Sequence, residues 1–223
     1  MFPTCQQPVN RFRYTRHEQA SCDQDHIDMI ISSRATTPDR TAFILGRSTD
    51  DPLPFMIEDA KRLETYGADA IVIPCNTAHY FIGEVRNAVK VPVPSIITET
   101  CAYLKRSGFK KAAILATEGT ICSRSYQNEL DSIGLGWAVP DAAGQAALMD
   151  IIYHDVKRGF IPGREKLDAV TEPLKKEGCD CAVLACTELS LLSTRLSDDP
   201  FFVDSLEVLA ECAVRMFGKE YVS

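Results

Sequence analysis

GADAIVIPC, residues 67–75, and GCDCAVLAC, residues 178–186, are two copies of one pattern. Gly, Asp, Val and Cys fall at the same four offsets. Each copy follows a helical stretch, KRLETYG (61–67) or EPLKKEG (172–178), that a glycine stops. The short apolar runs AIVIP (70–74) and CAVLA (181–185) read as strands buried on both faces. A cysteine stands at the carboxyl end of each. The copies lie 111 residues apart in a chain of 223, so the expectation is two similar halves, each presenting one thiol.

Working outward, strands alternate with helices. Further strand runs are IDMII (27–31), KAAILAT (111–117) and PFFVD (200–204). VPVPSI (91–96) holds two prolines and is at most a short edge or terminal strand. Helical patterns cover 52–67, Thr77 to Val89, 98–107, 124–133, 142–157, 164–177 and 205–217. Such alternation predicts an α/β fold with mainly parallel sheets flanked by helices. One pseudo-symmetric half would comprise residues 1–97 plus 205–223, the other 98–204. In parallel sheets ligands sit beyond the carboxyl ends of the strands, where both cysteines stand.

Composition narrows the classes. A 45% hydrophobic fraction with 25% charged residues suits a globular domain with a sizeable core. The net charge of −7, with basic residues scattered, leaves no nucleic-acid footprint. No apolar run reaches membrane-spanning length, and no h-region opens the chain. Nine cysteines is an odd count, which argues for reduced thiols in the cytoplasm rather than a disulfide framework. The closest approach to a zinc pattern, Cys179-Asp180-Cys181 with Cys186, lacks both a Cys-x2-Cys pair and a histidine pair. No metal is expected.

A thiol where a strand ends and a helix begins meets partial positive charge and free N–H groups, which favour thiolate and can hold a carboxylate. Asn76 and Thr77 follow one cysteine; Thr187 and Glu188 follow the other. Two thiols facing one small anion suit movement of a proton between the two faces of a carbon. One sulfur takes the α-hydrogen and the other supplies a proton opposite, inverting an amino acid without cofactor or metal.

These residues resemble the aspartate/glutamate racemases of the cofactor-independent, two-cysteine type. The matches are IPCNTAH (73–79), LACTELSLL (184–192), PDRTAFILG (38–46), LATEGT (115–120), IIYHDVKRG (151–159) and VDSLEVLAECAV (203–214), in order across the chain. The resemblance implies an active site between two α/β halves, an aspartate or glutamate substrate, and a homodimer. It implies Cys75 and Cys186 as the catalytic pair. CNTAH is closer to the aspartate branch, and glutamate racemases more often carry histidine where Glu188 stands. It further implies Arg40 near a substrate carboxylate, Lys157 as a second cationic contact, and Asn76, Thr77, Thr117 and Thr187 as carboxylate or amine contacts. Arginine suits its place because its fork grips both oxygens of a carboxylate.

One departure stands out. Family members open with a strand and a glycine-rich turn resembling GGMGP, whereas this chain has no glycine before Gly46 and no buried-strand run in residues 1–20. The first strand and its loop are expected to be missing, leaving neighbouring strands short of ladder partners.

Each assignment has a plainer counterpart. Cys75 and Cys186 could be small core residues. His79, one turn past Cys75, could tune the thiol or simply pack. Arg40 could be a solvated loop residue, and Lys157 could answer a helix dipole. Thr77 and Thr187 could cap helices, and Glu188 could favour a positive helix end. Asp23, Asp25 and His26 read as a polar loop. Cys5, Cys22, Cys101, Cys122, Cys179, Cys181 and Cys212 read as structural or incidental. Two other functions compete. One is a relative with other carbanion chemistry, of hydantoin racemase, maleate isomerase or malonate decarboxylase type. The other is a silent remnant that binds a dicarboxylate or only dimerises.

Overall fold

The computed structural model describes residues 27–196 and 199–218. The expectations placed on residues 1–20, Cys5, Cys22, Asp23, Asp25 and His26 lie outside them. The chain first forms α1 (Arg40–Ile44), α2 (Leu53–Thr65), a 3-10 turn (Thr77–Phe81), α3 (Ile82–Ala88) and α4 (Ile96–Arg106). Then come β1 (Lys111–Ala116), α5 (Glu118–Cys122), α6 (Ser125–Ser132), β2 (Gly136–Ala138) and α7 (Ala142–Asp150). A π turn (Ile151–Asp155) and a 3-10 turn (Val156–Arg158) extend α7. The rest is α8 (Arg164–Lys176), β3 (Cys181–Ala185), a 3-10 turn (Leu189–Arg195), β4 (Phe202–Asp204) and α9 (Ser205–Met216).

The four strands form one parallel sheet in the order β2-β1-β3-β4. Its centre shows why the strand runs are continuously apolar. Ala112, Ile114, Ala116, Cys181, Val183 and Ala185 face one layer, with Ile96, Leu104, Leu130 and Leu209. Ala113, Leu115, Ala182 and Leu184 face the other, with Leu148, Ile152, Leu167 and Leu174. A period of two that meets helices on both faces needs an apolar residue at every position. Each fully buried leucine or isoleucine here contributes roughly 1.5–3 kcal/mol. Asp180, shared by both copies of the repeat, clamps the sheet: its carboxylate accepts from the Lys110 and Lys111 backbone N–H groups at 2.7 and 3.0 Å.

The α/β expectation stands, with corrections in the first half. IDMII is not a strand: residues 27–31 have no sheet pairing among the described residues, and Met29, Ile30 and Ile31 are exposed. AIVIP is not one either. It delivers Ile71 and Ile73 to a small core with Ala60, Val85 and Val93. Its link to the neighbouring segment is Ile71 N–H to Pro92 O at 3.0 Å. VPVPSI forms no strand, and its Ser95 instead caps α4 by accepting from the Thr98 N–H at 3.2 Å. A strand exists only with a ladder partner. Among the described residues none pairs with 70–74, so the second sheet expected for residues 1–97 is not found there. The helix expected from Thr77 opens as a 3-10 turn, and the one over 142–157 widens into its π turn. Three short elements, α1, α5 and β2, carried no recognised signal. Among the described residues no helix is long and apolar enough to cross a membrane.

Candidate active site

Cys186 directly follows β3, and its neighbourhood is set by Glu188. The Cys186 thiol donates to Glu188 Oε2 at 2.9 Å. Burial first, then the Glu188 charge, push this thiol well above the ordinary range, and Cys75 adds to the effect. The Glu188 backbone N–H pulls the other way and loses. A helix start favours thiolate, but at Cys186 burial and the Glu188 charge act against it and favour the thiol. It also follows that Cys75 lies close enough for charge on one sulfur to be felt by the other.

On the far side of Glu188, Lys157 Nζ lies 4.0 Å from Oε1 and 3.8 Å from the centre of the Tyr153 ring. Burial works against its charge, but Glu188, Tyr153, Cys186 and Asp39 outweigh that and raise its pKa. Lys157 is thus an ammonium at neutral pH. The π turn and the 3-10 turn after it bring Tyr153 and Lys157 to this place. Thr187 Oγ1 is 3.5 Å from Glu188 Oε2, so it joins the same cluster.

Glu188→Gln removes a charge that holds the Cys186 proton. The thiol then ionises at lower pH, so alkylation of Cys186 by iodoacetamide, followed by peptide mass mapping, should set in at lower pH than in the parent. An unmoved alkylation profile would count against the assignment.

Cys75, partly exposed, ends the 70–74 segment. Arg40 opens α1, whose cap is Asp39 accepting from the Ala42 N–H at 2.8 Å. The Arg40 guanidinium reaches the Pro38 carbonyl at 3.2 Å and Cys75 Sγ at 3.9 Å. One cation therefore stands at Cys75, and another, Lys157, stands behind the carboxylate that meets Cys186.

A knot of hydroxyls begins two residues after Cys75 and one after Arg40. Thr77 contacts Thr117 and Thr120, both at 2.9 Å; Thr117 contacts Thr120 at 3.2 Å and Thr41 at 3.4 Å. All four are buried. Thr117 also caps α5 through the Thr120 N–H. Gly119 makes the knot possible: a Cβ there would lie 2.9 Å from Thr41 Cα. A groove of about 510 Å3 opens beside the knot, lined by Asp39, Thr41 and Ala42 on one side and Met149 and Tyr153 on the other.

Two sequence candidates are occupied differently. The Asn76 amide turns away to Tyr126 and Ser205. His79 bonds the Cys75 carbonyl, not its sulfur: Nδ1 is 2.9 Å from that oxygen, and Nε2 accepts the Ile96 N–H at 3.0 Å. A backbone N–H can only donate, so the proton is on Nδ1 and the ring is neutral. Burial lowers its pKa to about 4.

The His79 shift has a sign. Between about pH 6.5 and 4 the unfolded chain binds a proton here that the folded chain does not, so stability should fall as pH drops through that window. The loss should reach about 3 kcal/mol and level off below pH 4. Denaturant titrations at pH 7 and 4.5 check it, and His79→Gln should narrow the difference between them.

Thr41, Thr120, Tyr126, Tyr153 and Ser205 were not among the sequence candidates. The T-x-x-T spacing in LATEGT offered a capping signal for Thr120; the others gave none. Cys101, Cys181 and Cys212 are buried with raised pKa values, about 12, 12 and 11, caused chiefly by burial. They are inert core thiols, as expected.

Known proteins share this arrangement of elements. The family profile described as Asp/Glu/Hydantoin racemase matches residues 13–213. The broad specificity amino-acid racemase RacX of Bacillus subtilis is 30% identical over 200 residues, which cover 89% of this chain and 85% of that one. A glutamate racemase of Corynebacterium glutamicum is 32% identical over 175 residues, 74% of this chain and 61% of that one. Among solved structures, the Picrophilus torridus aspartate racemase superposes with a TM-score of 0.86 at 27% identity, covering 98% of this chain and 91% of that one. One family profile thus runs through both cysteine motifs and all four strands, and the chain belongs to the Asp/Glu/hydantoin racemase family.

Proposed function

We propose that this chain interconverts L- and D-aspartate, with glutamate the less favoured substrate, by two-thiol proton transfer. The carrying observation is the pair of cysteines, Cys75 with the Arg40 cation and Cys186 with the Glu188 carboxylate, which Lys157 backs. Arg40 grips one substrate carboxylate beside Cys75, and Lys157 meets the other beside Cys186. Thr77, Thr117 and Thr187 stand on the loops around them, and Asn76, its side-chain amide engaged elsewhere, offers them only its backbone.

In one direction Cys75 as thiolate takes the α-hydrogen. The C–H bond breaks, its electron pair moves toward the carboxylate held by Arg40, and the Cys186 thiol protonates the opposite face. Cys75 ends as thiol and Cys186 as thiolate. Proton exchange with solvent, through Glu188 at Cys186, resets the pair. No cofactor enters. The site lies between a half comprising residues 1–97 with 205–223 and a half comprising 98–204. The working form is a homodimer in the cytoplasm, without nucleic-acid or membrane partners. The structural likeness to an aspartate racemase supports the substrate choice.

The test is L-aspartate in D2O, with the α-proton followed by NMR and the product by chiral analysis. Exchange with appearance of D-aspartate supports the reading. No exchange from folded protein removes it. The 70–74 segment, with no strand partner among the described residues, favours a second reading, a silent dicarboxylate binder; aspartate binding without any exchange would select it.

A further inference from the structure

We propose that Ser205 and Tyr126 are positioning residues that set the separation of Cys75 and Cys186; this deepens the two-thiol reading. They belong to a buried chain of hydrogen bonds whose directions are all determined. The Ser205 hydroxyl has one proton, and it goes to the Leu184 carbonyl at 2.7 Å, because a carbonyl can only accept. Ser205 must then accept from Asn76, so Nδ2 faces it, at 3.0 Å. Asn76 Oδ1 faces the other way and accepts the Tyr126 O–H at 2.7 Å.

The chain's ends are what matter. Asn76 directly follows Cys75, and Leu184 lies two residues before Cys186 on β3. Ser205 opens α9 just where β4 stops pairing, at Leu184 with Asp204. Its side chain takes a strand carbonyl near the end of that ladder. Tyr126 and Ser205 are fully buried, and Asn76 nearly so. No water competes for these groups, so breaking any of these bonds leaves an unpaired polar group. Among the described residues no strand pairs with 70–74, whereas β1 and β4 pair with β3. The Cys75 loop is therefore registered against the Cys186 strand by side chains. Neither Ser205 nor Tyr126 touches sulfur; both act through Asn76.

The test uses the full chain with Ser205→Ala and, separately, Tyr126→Phe. The first readout needs no activity. Bis-methanethiosulfonate reagents of graded length are reacted with each protein, and the Cys75–Cys186 product is identified by peptide mass mapping. The parent should prefer one length, and both variants should broaden or shift that preference. The second readout is aspartate racemisation, where kcat should fall about 10- to 100-fold with KM within about 2-fold. An unchanged length preference overturns the proposal, whatever happens to kcat. A shifted preference in a protein whose parent proves inactive upholds the positioning role and removes only the racemase reading. If Ser205→Ala does not fold, Tyr126→Phe decides by the same criterion.

Discussion

Replacing Cys75 by alanine is expected to cut aspartate racemisation by at least about 10³-fold, and Cys186→Ala should do the same. The reason is geometric. Inversion needs a base on one face and an acid on the other, so either sulfur is indispensable in both directions. The double variant should be no slower than the singles, because one loss already breaks the pair. What remains should be informative. A lone thiol can still take and return a proton on its own face. Each single variant should therefore retain slow α-deuterium exchange of one enantiomer without inversion, and the two variants should favour opposite enantiomers. Chiral chromatography with NMR in D2O measures both quantities. Full racemisation by either variant would end the two-thiol account.

The second large effect is expected at Arg40. Arg40→Ala should lower kcat/KM about 100-fold, the scale of removing one charge-assisted, paired hydrogen bond to a carboxylate. Arg40→Lys should recover only part, since a point charge lacks the fork. The Pro38 carbonyl and Cys75 both meet this guanidinium, so its placement is built in rather than induced. Initial rates over a range of aspartate concentrations separate KM from kcat. A purely structural arginine would instead show a lowered melting temperature with kcat/KM intact.

The second copy of the repeat was the more readable one. CAVLA became β3 because Lys111–Ala116 lies beside it and helices cover both faces. AIVIP has the same apolar character and became no strand, because pairing depends on a neighbour that its own letters do not specify. Cys75 and Cys186 stood out through the repeat, and the family resemblance added Arg40 and Lys157; in the structure Arg40 meets Cys75, and Lys157 meets the Glu188 that Cys186 donates to. The state of Cys186 was not legible: a helix start suggested thiolate, while burial and Glu188, visible only in three dimensions, favour the thiol. Asn76 looked like a ligand contact and is engaged by Tyr126, 50 positions away. A tyrosine in a helix announces no such partner.

Gly119 leaves α5 and Thr41 in direct backbone contact, with no compressible layer of side chain between them. Thr41 is the next residue after Arg40, and Thr117 and Thr120 flank the glycine. A displacement of α1 that widened the groove would be transmitted at once to the hydroxyl knot and to the guanidinium at Cys75. Groove width and the place of the arginine are thus set by one and the same packing contact.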